Sequence, residues 1–190
     1  MGETRKTKER WIRNGEYQKF IEGKNGIDIG VGRIDAHEGP DTINPDFYQH
    51  DKDDCDAVTM DIFQDNFFDV VWASHVLEHL NDPILAIKNW IRICKPGGIV
   101  AIFVPDAELY EGVPRLPSMW NEDHKTMWLP FDFIPPNTFS LEDTVLKAIG
   151  QNDASIYSII RCDEGWYKPN KETHAIGEYQ IECIIKKWGN

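Results

Sequence analysis

Three short stretches carry residues whose types and spacing suit chemistry on a bound ligand. In Asp28-Ile29-Gly30-Val31-Gly32 an apolar run leads into a Gly-x-Gly turn beside an acid. Glycine has no side chain, so such a turn lets a ligand approach bare backbone. In Ser74-His75-Val76-Leu77-Glu78-His79-Leu80, two histidines and a glutamate follow the β-forming run 68–73. Imidazoles there suit proton transfer near neutral pH. The order His-x-x-Glu-His also raises a metal reading through His75 and His79. No third ligand stands in position, so no metal is expected. The third feature is a row of acids, Asp28, Asp46 and Asp61, each at or just past a predicted strand. Asp46 could accept from both hydroxyls of a ribose, and Asp61 from an adenine amino group. Each feature has a plainer reading: a tight turn, a satisfied core histidine, solvated loop acids.

Positioning these residues takes a sheet. Residues 4–22 read as an amphipathic helix, with Trp11, Ile12, Tyr17, Phe20 and Ile21 roughly on one side, stopped by Gly23 and Asn25-Gly26. Strands are expected at 27–29, 42–44, 57–60 and 68–73. A helix follows Asn81, with Asp82 as its cap and Pro83 at its first position. Lys95-Pro96-Gly97-Gly98 turns the chain into a buried strand, 99–104. Residues 107–138 are rich in proline and aromatics and read as an irregular insertion, a lid with Trp120, Trp128, Phe131 and Phe133 as candidate pocket walls. A helix from Ser140 to Ile149 and two strands, 155–161 and 179–186, complete the chain. The alternation predicts an α/β, Rossmann-like, doubly wound and mainly parallel seven-stranded sheet with a C-terminal antiparallel hairpin. One domain is expected over 1–190, its N-terminal helix within 1–25.

The charge balance excludes some partners. Twenty basic residues against thirty-two acidic give a net charge of -12. Such a surface repels phosphate backbones and anionic lipid, so neither nucleic acid nor membrane is expected as a partner. The basic run from Arg5 to Arg10 reads as a solvated helix face. Four cysteines without paired spacing form neither a zinc signature nor a disulfide framework. No signal-peptide core follows the N-terminus, and no run approaches the ~20 apolar residues of a membrane span. A reduced, cytoplasmic protein is the expectation.

Taken in order, GIDIGVG (26–32), FFDVVWASHVLEHLNDP (67–83) and ICKPGGIVAIFVPD (93–106) resemble the class I S-adenosylmethionine-dependent methyltransferases. Within these, the chain is similar to a compact methyltransferase type 11-like group. Cys94 stands where leucine is usual. Residues 33–45 are too few for the full first helix, as in a subgroup associated with sugar-related contexts. The resemblance implies S-adenosylmethionine as cofactor, with Gly30 and Gly32 against its methionine portion and ribose. It implies that Asp28 orients the loop or reaches the amino group, and that Asp46 holds the ribose. Asp61 with the backbone of Ile62 would hold the adenine, and Ala73-Ser74 the methionine end. The acceptor expected is a small molecule or saccharide, methylated at oxygen, with His75 or His124 as general base and His79 third. Nucleobase amino-methylases carry an Asn/Asp-Pro-Pro-aromatic motif where this chain has Ser74-His75. Two alternatives are a catalytically silent cofactor-binding module and a nucleotide-dependent oxidoreductase. The latter would need a third glycine where Asp35-Ala36 stand.

Overall fold

The computed structural model describes residues 2–31, 41–150 and 153–189. Its main sheet holds β1 (Gly26–Ile29), β2 (Tyr48–His50), β3 (Phe68–Ser74), β4 (Cys94–Pro105), β7 (Ala154–Cys162) and β8 (Gln180–Lys187). The order across it is β2-β1-β3-β4-β8-β7. The first four strands run parallel, while β8 is antiparallel to both β4 and β7. Strands β5 (Met127–Leu129) and β6 (Thr138–Ser140) form a separate parallel pair within and just after the insertion.

Successive strand residues face opposite sides of a sheet, so each apolar strand feeds two cores. Val71, Ala73, Val100 and Ile102 pack with Ile87 and Trp90 of α3 (Pro83–Ile93) and Val145 of α4 (Leu141–Ile149). Val70, Trp72, Ala101 and Phe103 pack on the other side with Trp11 of α1 (Glu3–Asn14). Helices therefore cover both faces, as a doubly wound sheet requires. Among the described residues no helix is long and apolar enough to cross a membrane.

Caps act where the sequence places them. Asp82 accepts from the Leu85 N–H at 2.9 Å, and Ser140 from the Asp143 N–H at 3.1 Å. The expected 4–22 helix breaks at Gly15, whose φ of 81° ends α1 before α2 (Glu16–Phe20) begins.

Among the described residues six strands stand in the main sheet where seven are expected, and the strands expected at 42–44 and 57–60 do not form. Residues 42–44 make no ladder, because the Ile43 N–H donates to Asp28 and the Thr42 hydroxyl does likewise. Residues 57–60 are a turn whose carbonyls are claimed by α3. Trp90 Nε1 donates to the Ala57 carbonyl, Asn89 Nδ2 to Val58, and the Arg92 guanidinium to Thr59 and Met60. With those acceptors taken and Met60 at φ 46°, no strand forms there.

Helix α1 is held against β8 through Glu182. Glu182 of β8 accepts from Trp11 Nε1 and from the Arg10 guanidinium, each at 2.9 Å, while Arg10 Nε also reaches Glu178. Fully buried Trp11 meets the Trp72 ring edge-on at 5.1 Å. Trp11→Ala removes this aromatic packing and strips Glu182 of a donor. It is expected to cost about 3–5 kcal/mol, measured by urea unfolding.

Candidate active site

The carboxyl ends of β1, β2 and β3 open on a cavity of about 550 Å³, lined by Gly30, Asp51, Asp56, His75 and His79 among others. That edge is where ligands bind in open α/β sheets, and the volume lies in the roughly 300–1,000 Å³ range of ligand pockets. Gly30 has φ +74°, and a Cβ there would collide with Val76 Cγ2. The Gly30 and Val31 N–H groups both donate to the His50 carbonyl, at 2.9 and 3.2 Å, which ties the glycine turn to the end of β2.

The acids fall differently from the sequence reading. With the second strand at 48–50 and not 42–44, Asp46 precedes it. Asp46 is exposed and lines, with Ile62, Phe63 and Phe67, a separate cleft of about 520 Å³. Asp61 is exposed and lines neither hollow. The acid at the carboxyl end of β2 is Asp51, and Asp56 and Ala57 complete that wall. Asp28 is buried within β1 and is occupied by Thr42 Oγ1 at 2.6 Å and the Ile43 N–H at 3.0 Å. Ala73 belongs to the core, and Ser74 ends β3 one residue before His75. Gly32 lies outside the described residues. The signal that pointed to Asp51 was its place as the first acid after Tyr48-Gln49-His50, but that edge strand is too short and polar to stand out as one.

His75 is the best-oriented side chain at this rim. Its backbone sits at φ 56°, sparsely populated for a residue with a Cβ. The Gln180 amide nitrogen donates to Thr7 Oγ1 at 2.7 Å and to Glu178 at 3.2 Å, so its oxygen faces His75 Nε2 at 3.1 Å. Nε2 must therefore carry the proton, which leaves the Nδ1 lone pair bare. Burial lowers the His75 pKa from its ordinary value.

Behind this rim lies Glu78, fully buried, with neither carboxylate oxygen hydrogen-bonded. Three imidazoles surround its Oε1: His75 Nδ1 at 3.7 Å, His79 Nε2 at 3.9 Å and His124 Nε2 at 4.0 Å. Burial pushes the Glu78 carboxyl up to about 8, and burial with the neighbouring histidines pushes His124 down to about 4. His124 is brought in by the insertion, whose Lys125 and Thr126 N–H groups donate to the Glu78 backbone carbonyl. It lies on a small hollow behind Glu78, not on the large cavity. The four insertion aromatics do not converge on the cavity: Trp128 is in the core, Phe131 and Phe133 are exposed, and Trp120 meets His174.

Burial holds the Asp28 carboxyl up at about 7, against the opposing pull of its two hydrogen bonds. The folded state thus binds more protons than the unfolded chain between its ordinary 3.8 and about 7. Across that window Asp28 makes stability fall as pH rises, by roughly 4 kcal/mol in all. Asp28→Asn keeps an acceptor for Thr42 and Ile43 and should flatten this slope, measured by urea unfolding at several pH values between 4 and 8.

Residues 27–102 match the family model described as a methyltransferase domain. No protein of curated function matches the chain in sequence. An S-adenosylmethionine-dependent methyltransferase from Archaeoglobus fulgidus is 20% identical, with a TM-score of 0.54 over 98% of this chain and 95% of that one. A protein from Thermotoga maritima, described as a possible histamine N-methyltransferase, is 17% identical with a TM-score of 0.52 over 94% of each. The [4+2]-cyclase SpnF is 14% identical with a TM-score of 0.56, over 94% of this chain and 81% of that one. At such identities these structures speak for the fold, and folds host many reactions. The matched segment spans the glycine turn, the His-Val-Leu-Glu-His rim and most of the central strand, on a sheet with an antiparallel C-terminal pair; over residues 27–102 the chain is similar to a methyltransferase domain.

Proposed function

We propose that the chain transfers a methyl group from S-adenosylmethionine to a hydroxyl of a small-molecule or saccharide acceptor, with His75 taking the hydroxyl proton. The observation that carries this reading is the place of His75 on the cavity rim, with Nε2 held by Gln180 and Nδ1 free of a hydrogen bond, 3.7 Å from Glu78 Oε1. When bound, the cofactor supplies a sulfonium-activated methyl group, so the protein's task is alignment and proton removal. Gly30 admits the methionine portion close to the backbone, and Asp51 accepts from the ribose hydroxyls. Asp56 and Ala57 flank the adenine. The insertion 107–138 covers the acceptor side, tied to the rim through the Glu78 carbonyl. The acidic balance of the chain supports a small acceptor over a nucleic acid. The cysteines, all unpaired, suit a reduced cytoplasm.

Calorimetry with S-adenosylmethionine, with NAD as control, is expected to show binding of the former alone. Asp51→Ala should weaken that binding about tenfold or more, and Asp46→Ala should leave it unchanged; the reverse pattern would return the ribose to Asp46. His75→Ala should lower kcat by about 100-fold or more with cofactor affinity retained. Cofactor binding without methyl transfer to any acceptor would make the chain a silent binding module.

A further inference from the structure

We infer that Glu78, His79 and His124 form a binding site for one divalent transition-metal ion, of the kind that zinc occupies. The three side chains offer one carboxylate oxygen and two imidazole nitrogens, all within 4.8 Å of one another. Two His and one Glu are a known zinc donor set, with a fourth position left for water or substrate. With two edges of 3.9 and 4.0 Å and the third at most 4.8 Å, an ion equidistant from the three lies about 2.3–2.5 Å from each, so a shift of a few tenths of an ångström gives the ~2.0–2.2 Å bonds of zinc.

A second observation points to the same place. Both Glu78 carboxylate oxygens are buried and lack any hydrogen-bond partner, although nearly every buried polar group in a folded protein has one. A buried carboxylate without a partner is unfavourable, and an ion between it and two imidazoles would supply the missing partner. The outer shell is also in place. His79 Nδ1 lies 3.3 Å from the Asp123 carbonyl, a contact that protonates Nδ1 and turns the Nε2 lone pair toward Glu78. Glu78 and His124 also line a hollow with room for about one water.

The sequence expectation of no metal rested on His75 and His79 lacking a third ligand. The chain supplies that ligand from 45 residues beyond His79, and the fold makes Glu78 a donor while His75 turns to Gln180. His79 also lines the large cavity, while Glu78 and His124 line the small hollow, so an ion held by the three would sit between the two spaces. An acceptor hydroxyl bound there would lose its proton more readily. That use rests on the methyl-transfer reading; the site itself does not.

The test needs neither cofactor nor acceptor. Chain stripped with EDTA is titrated with ZnCl2 by calorimetry and followed by thermal melting. One equivalent should bind and raise the Tm. Glu78→Gln and His124→Asn should each weaken zinc by more than about 100-fold, beyond the effect of an outer-shell change. His75→Ala should still bind it. Cobalt(II) on the unaltered chain, read by its visible absorption, guards against a variant that fails to fold. Absence of stoichiometric zinc and of cobalt bands, or zinc binding by both ligand variants as tight as by the unaltered chain, overturns the proposal. Loss of methyl transfer with zinc binding intact would count against the proposed function alone.

Discussion

The antiparallel pairing of β8 on β4 is the constraint on which the site depends. Gln180 lies opposite Pro105, so the start of β8 reaches the carboxyl edge of a strand that is otherwise paired in parallel. A parallel last strand would have put that end at the opposite edge. Because of the reversal, Glu178 and Gln180 stand beside the rim, and the amide of Gln180 joins Thr7 of α1 to His75. The N-terminal helix and the C-terminal strand thus meet at one imidazole. The same strand carries Glu182, which holds Arg10 and Trp11, so the helix is fixed by the element that delivers Gln180.

The legible parts of the molecule were those whose physics is local. Residues 70–73 and the run 99–104 are continuous apolar stretches of the kind a buried strand needs. Asp82-Pro83 and Ser140 fix helix starts by capping chemistry written in adjacent residues. What stayed hidden was settled by distant partners. Thr42 and Ile43 look strand-like until Asp28 takes their donors. Ala57–Met60 look strand-like until side chains of α3 take their carbonyls. His124 reads as a base in a lid until the insertion folds it against Glu78. An edge strand such as β2, three residues long and half exposed, has almost no pattern to read.

The rim also shows how one small motif serves two purposes. In His75-Val76-Leu77-Glu78-His79, Val76 packs against Gly30 and Leu77 enters the core, while the polar residues line the space between cavity and insertion. The motif is short because a single 3₁₀ turn, Leu77–His79, is enough to send Glu78 inward and His79 outward.

Arg92 gives α3 an influence beyond packing. Its guanidinium holds the Phe63, Thr59 and Met60 carbonyls and the Asp65 carboxylate, so the turn carrying Ala57 is stitched to the last turn of one helix. Lys187 Nζ closes that helix end in turn, on the Ile91 and Cys94 carbonyls. The cavity wall and the helix end are therefore tied together by the same two side chains. The backbone of 57–63 and the last turn of α3 thus share one set of side-chain anchors.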